Sequence, residues 1–203
     1  MRFFRLVSPV LVVLVPCAIF VGAELGTAQQ NKTSPGNGPD KGSDKGGKLA
    51  PYFPTPEKIV DQMLKLGELK AGETMFDLGS GDGRIVIDAA RKYKANAIGV
   101  ELDDSLYKQS VDRIKSLGLS ATARIIHGDL LKQDYSSADL LTVYLLPVAT
   151  ELLTPILEKQ LKHGARIVVH DFPFTAWKTD RPPVDIDDDG EGRAHELYLY
   201  RRP

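Results

Sequence analysis

The chain is short of the residues that carry much of protein chemistry. It has one cysteine in 203 residues, Cys17, inside an apolar N-terminal run. The chain downstream therefore forms no internal disulfide and offers neither a thiolate zinc site nor a cysteine nucleophile. Its four histidines (His127, His163, His170 and His195) show no close ligand spacing, so the sequence leads to no expectation of a metal site. An excess of charge of either sign is also missing: 26 Lys and Arg stand against 27 Asp and Glu. Without residues 1–28, which hold Arg2, Arg5 and Glu24, 24 basic and 26 acidic residues remain. That balance argues against affinity built on neutralising nucleic-acid phosphates, and no nucleic-acid partner is expected. What is present is a hydrophobic share of 42%, enough for a packed core. The length holds one domain of ordinary size with some chain left over.

The surplus lies at the N-terminus. Arg2 and Arg5 precede an uncharged run from Leu6 to Ala23, and Val21-Gly22-Ala23 or Gly26-Thr27-Ala28 offers small residues for cleavage. Residues 1–28 read as a signal peptide, or else as a membrane anchor touching the bilayer through residues 6–23. Pro9 and Pro16 interrupt a continuous helix and favour cleavage. In both cases the domain is expected to be exported (periplasmic or extracellular) or membrane-anchored, because the basic residues lie N-terminal to the run. Residues 29–50 are rich in Gly, Lys, Asp, Pro and Ser and read as a disordered linker, leaving a domain over 51–203.

Within that domain helical and strand-like periods alternate. Thr55 is expected to cap a helix begun by Pro56, with Ile59, Val60, Met63 and Leu64 on one face. Strands are expected at 74–78, 97–101, 124–127, 138–146, 165–170 and 196–201, and helices at 85–93, 104–117 and 154–161. Strands separated by helices imply an α/β fold: a Rossmann-like doubly wound sheet, mostly parallel, with an antiparallel C-terminal strand.

The most informative stretch is Phe76-Asp77-Leu78-Gly79-Ser80-Gly81-Asp82-Gly83-Arg84, placed where a strand gives way to a helix. In a doubly wound sheet that position borders the crevice for a nucleotide-like ligand, and glycines there let the backbone approach it. A dinucleotide fingerprint would need a third glycine where Arg84 stands. Glu101 ends the second strand, where a carboxylate can accept from both ribose hydroxyls; a dehydrogenase would also place an acid there. A nucleotide-dependent oxidoreductase and an exported, non-catalytic nucleotide-binding module stay open on the residues alone.

The spacing Gly-x-Gly-x-Gly, with Asp77 two residues ahead, resembles the first motif of class I S-adenosylmethionine-dependent methyltransferases. That resemblance implies cofactor contacts from Asp77, Gly79, Ser80, Gly81, Gly83 and Glu101. It also implies contacts from Asp129 and Leu130, where the family has an acidic residue near the adenine amino group. Pro51-Tyr52-Phe53-Pro54-Thr55-Pro56 and His170-Asp171-Phe172-Pro173-Phe174 ahead of Trp177 narrow the likeness further. Their order is similar to the subgroup containing the lysine methyltransferases of the ATP synthase c-subunit and adenine nucleotide translocase. By that likeness Tyr52 and Thr55 fold over the methionyl end of the cofactor, and the methyl acceptor is a protein lysine or related amine. The sequence departs from the lysine-modifying members at Tyr144-Leu145-Leu146-Pro147 and in its leader, so a small-molecule acceptor stays open.

An amine acceptor must lose a proton, and His170, Asp171 and Tyr144 at strand ends are the catalytic candidates. Phe172, Phe174 and Trp177 are candidates to wall an acceptor channel. Asp185-Ile186-Asp187-Asp188-Asp189-Gly190, with Glu196 beyond, satisfies an EF-hand loop pattern. Arg181-Pro182-Pro183 precedes it and a strand follows, where an EF-hand has helices, so an acidic hairpin loop between the last two strands is expected there.

Overall fold

A computed structural model describes residues 52–202. The expected leader at 1–28, the linker at 29–50 and the proposed membrane contact lie outside the described residues. Helix α1 (Glu57–Leu66) leads to β1 (Thr74–Leu78), α2 (Arg84–Tyr93), β2 (Asn96–Glu101), α3 (Asp104–Ser116) and β3 (Ala123–His127). The chain continues through β4 (Leu140–Val143), α4 (Pro147–Gln160), β5 (Arg166–His170), β6 (Val184–Ile186) and β7 (His195–Arg201). The seven strands run in the order β3-β2-β1-β4-β5-β7-β6, parallel from β3 to β5 and antiparallel from β5 through β7 to β6.

Local chemistry accounts for most boundaries. The Asp103 side chain accepts from Ser105 N and Leu106 N at 2.9 and 3.0 Å, which starts α3, and Gly118 at φ 68° ends it. Ile59, Val60, Met63 and Leu64 press α1 onto one sheet face beside α2 and β1, while Leu153 and Leu157 of α4 cover the other with Phe76 and Tyr135. At the base of the sheet the buried Arg166 guanidinium binds Glu73 Oε2 at 2.6 Å and the Glu68 carbonyl at 2.9 Å.

Two expectations change. Pro56, not Thr55, occupies the cap position of α1, and no side chain caps that helix. The strand expected over 138–146 ends at Val143, and α4 begins at Pro147 instead of near Thr154. Leu146 is held extended (φ −65°, ψ 156°) by the proline that follows, so Tyr144–Leu146 leaves the sheet before the helix starts. Pro155 inside α4 masked the helical pattern; the fold tolerates the one backbone donor it removes. The acidic hairpin loop expected before the last strand is present: β6, a three-residue edge strand, pairs with β7 and leaves residues 187–194 as the loop.

Candidate functional site

Strand order reverses between β1 and β4: from β1 the chain moves outward to β2 and β3, then returns to β4. The carboxyl ends of strands at such a switch point leave a crevice. Here a cleft of about 970 Å³, partly open to solvent, lies against the ends of β1, β2 and β4. Tyr52, Thr55, Asp77, Gly79, Ser80, Gly81, Glu101, Asp129, Leu130 and Tyr144 all line it.

The loop after β1 is the floor. Gly79, Gly81 and Gly83 adopt φ 77°, 53° and 76°, a region that a side chain disfavours. Gly79 N and Ser80 N donate to the Val100 carbonyl at 3.0 and 2.9 Å, tying the loop to β2. Gly83 does not line the cleft; it precedes α2 and packs against Ser110, where a β-carbon would meet the Ser110 Cβ at 3.0 Å. The Tyr52 ring lies over Gly81, so near that a β-carbon there would come within 2.7 Å of its Cε2. Arg84 holds this N-terminal flap down, donating to the Thr55 carbonyl at 2.9 Å while pairing with Asp82 at 2.9 Å. Burial works against ionisation of Asp82, but hydrogen bonds and charge from Arg84 and Arg113 hold its carboxyl below the usual range. The residue that breaks the dinucleotide fingerprint is thus the buttress of the flap.

Glu101 is buried at the end of β2, and backbone amides engage both of its oxygens. Gly81 N donates to Oε2 at 2.7 Å and Asp103 N to Oε1 at 2.8 Å. A carboxylate has about four acceptor sites, so capacity for ribose hydroxyls remains. Asp77 is 3% exposed and accepts from Thr142 Oγ1 at 2.8 Å. Burial pushes its pKa up to about 7; the Thr142 bond opposes this, and the charges of Glu101 and Asp82 add to it. Asp129 accepts from Leu131 N at 2.9 Å, which positions the short turn carrying Leu130 on the cleft wall.

Of the three catalytic candidates only Tyr144 is on the cleft wall. Its ring covers His170, with centroids 3.8 Å apart, and His170 is fully buried behind it. Burial, first of all, lowers the His170 pKa and keeps the imidazole neutral. Asp171 stands with His195 further back, at a left-handed φ of 60°. His170 and Asp171 are therefore not lining residues, because β5 ends under Tyr144 instead of beside it. Phe174 and Trp177 do not wall a channel here either. They stack on each other at 4.5 Å and meet Tyr200 edge-on at 5.8 and 6.0 Å, packed with the residues under α4, and Trp177 Nε1 donates to Glu158 at 2.8 Å.

Gly99 went unremarked in the sequence, where nothing separates it from an ordinary strand glycine. A β-carbon there would overlap Ser80 Oγ and come within 2.6 Å of Ile125 Cδ1. The glycine loop can lie on β2 only because this position has no side chain. Gly99→Ala is expected to cost about 1–3 kcal/mol of stability through overpacking and to weaken cofactor binding as Ser80 is displaced. A melting curve with and without S-adenosylhomocysteine checks both; parental values for each would show that the loop has slack.

Residues 77–181, half of the chain, match the family of the ANTKMT methyltransferase domain. The chain belongs to that family. The methyltransferase is 38% identical over 151 residues to a protein-lysine N-methyltransferase of Saccharolobus islandicus, an alignment covering 74% of this chain and 92% of that protein. It is 33% identical over 130 residues to the human lysine N-methyltransferase of the ATP synthase c-subunit, covering 64% of this chain and 55% of the relative. A solved RNA methyltransferase from Salinibacter ruber, in complex with S-adenosyl-L-homocysteine, is 39% identical with a TM-score of 0.68, covering 74% of this chain and 94% of that one. This is an S-adenosylmethionine-dependent methyltransferase, not an oxidoreductase. The cleft suits the group: Gly79 and Gly81 line it without side chains, and the Glu101 carboxylate stands beside them at the end of β2.

Proposed function

We propose that this methyltransferase modifies lysine side chains of a protein, using the cleft between β1, β2 and β4. The observation that carries this reading is the rim. Tyr52, Phe53 and Leu102 at the cleft, with Leu146 and Val148 just beyond Tyr144, are large apolar residues left 37–53% exposed. An apolar collar around a polar pocket suits a polypeptide better than a small metabolite, whose recognition needs few exposed side chains. The names of the two lysine-modifying relatives support the same acceptor.

When bound, S-adenosylmethionine supplies a methyl group on a sulfonium, already activated for displacement. What remains for the protein is orientation, worth up to about 7–11 kcal/mol in well-aligned reactions. Glu101 would accept from the ribose hydroxyls, and Asp129 with Leu130 would border the adenine. Tyr52 and Thr55, held by Arg84, would cover the methionyl end. Burial, first, and the charge of Asp171 raise the Tyr144 pKa, so its phenol stays neutral. Its oxygen orients the amine as a hydrogen-bond acceptor, and the amine proton passes to water at the open mouth. His170 supports Tyr144 from behind.

The uncharged run at Leu6–Ala23 supports an exported or membrane-anchored domain, as expected from the sequence; fractionation of the host tests this, and a cytosolic, full-length chain would reject it. Incubation with labelled S-adenosylmethionine and a membrane extract is expected to label a polypeptide at lysine. The name of the Salinibacter neighbour favours RNA as a second reading. The near-neutral charge weighs against it, and label lost on ribonuclease treatment would establish it in place of lysine.

A further inference from the structure

Behind Tyr144, outside the cleft, two consecutive residues, His170 and Asp171, and the distant His195 bring one ligand atom each to a single spot. His170 Nε2 lies 2.9 Å from His195 Nδ1, His195 Nδ1 3.0 Å from Asp171 Oδ2, and His170 Nε2 3.4 Å from the same oxygen. All three come from the ends of adjacent strands: β5 stops at His170, Asp171 follows it, and β7 starts at His195.

The chemistry of the triangle is specific. His195 Nε2 lies 3.1 Å from Asp189 Oδ2, an acceptor, so that nitrogen carries the ring proton and leaves a lone pair on Nδ1. Asp171 Oδ2 bears only lone pairs. His170 Nδ1 has no hydrogen-bond partner among the described residues; with the ring proton there, all three facing atoms bear lone pairs and repel one another unless a cation sits between them. With bonds of about 2.1 Å, ligand atoms lie about 3.0 Å apart at adjacent octahedral corners and about 3.4 Å apart at tetrahedral ones. The three edges fall close to those limits.

We propose that His170 Nε2, His195 Nδ1 and Asp171 Oδ2 bind a first-row divalent transition metal of the zinc type. Two imidazoles and one carboxylate are the donor set such ions prefer over calcium or magnesium. Asp189 supplies the outer carboxylate that fixes the tautomer and direction of a metal-bound histidine. Asp189 is itself held by the amides of Glu191 and Arg193 at 2.7 and 3.1 Å and by the Arg193 guanidinium at 3.0 Å. The remaining coordination positions belong to water, which reaches the site past Asp171, the partly exposed member. None of the three ligands lines the methyl-transfer cleft. The metal's effect there is positional: it clamps the end of β5 to the start of β7 and fixes the His170 ring on which Tyr144 lies. This inference stands whether the acceptor is lysine or RNA.

The test uses the full chain, stripped with a chelator, dialysed and titrated calorimetrically with Zn²⁺ alone and, separately, Mn²⁺ alone. One equivalent of Zn²⁺ per chain is expected, with a higher melting temperature. Asp171→Asn is expected to weaken binding at least about a hundredfold, and Asp189→Asn about 10–100-fold. Asparagine tolerates the left-handed backbone at position 171, so that variant keeps its fold where His195→Gln can lose it. Failure of both ions to bind at micromolar concentration would overturn the proposal, leaving a shared proton at the centre of the triangle. Equal affinity in the parent and Asp171→Asn would overturn it too, placing the metal on another surface.

Discussion

Replacing Glu101 by alanine is expected to weaken S-adenosylhomocysteine binding at least about thirtyfold in a calorimetric titration. Hydrogen bonds to a charged acceptor contribute roughly 1.5–3 kcal/mol each, and two of them discounted for rescue by water amount to about 2–4 kcal/mol. At about 1.4 kcal/mol per decade that is a factor of thirty or more. A carboxylate at a strand end, judged from sequence, belongs to the ligand alone and its loss would leave folding untouched. In the folded protein it also accepts from Gly81 N and Asp103 N, so it shapes the glycine loop and the entry to α3. A loss of stability of about 1–2 kcal/mol is therefore expected beside the loss of affinity, since both amides belong to residues lining a cleft partly open to solvent. Glu101→Gln, which keeps one acceptor oxygen, should recover part of each. Parental affinity in the alanine variant would put the ribose elsewhere.

The second large effect concerns Asp77 and pH. Its folded-state pKa of about 7 lies above the ordinary 3.8, so the native protein prefers the protonated acid. The associated stability is complete below about pH 4 and drains away as pH rises through 7, where the folded chain must bury a charge. Three pKa units at 1.36 kcal/mol each set the size on the order of 4 kcal/mol. Asp77→Asn preserves an acceptor for Thr142 and removes the charge. The variant without ligand is expected to melt higher than the parent at pH 8, by on the order of 10 °C, and level with it at pH 4. Parallel melting curves across that range would mean that Asp77 ionises freely and that its burial is offset by groups lining the cleft.

Much of this site could be read before folding because its carriers are local. Three glycines in five residues after an acidic strand end have one economical use, and the turn they make depends on nearest neighbours. The acid ending β2 follows from strand period and length, and β1 and β2 fall within one residue of their expected bounds. Where local chemistry was ambiguous the expectation slipped. A proline inside α4 imitates a helix break, and a threonine before Pro56 imitates a cap. Burial and neighbouring chain segments, which the sequence does not display, decided both.

By itself the sequence determined the sheet class and the crevice, because backbone freedom and strand periodicity are properties of consecutive residues, while the cofactor followed from its resemblance to class I methyltransferases. Tertiary structure decided what meets across strands. It set Gly99 beneath Ser80, turned Arg84 from a missing glycine into the anchor of the flap, and raised the Asp77 pKa by enclosing it. It also moved His170 and Asp171 off the cleft wall and brought His195 to them from 25 residues away. Such meetings depend on the register of β5 against β7, set by packing over the whole sheet and by no short stretch of chain.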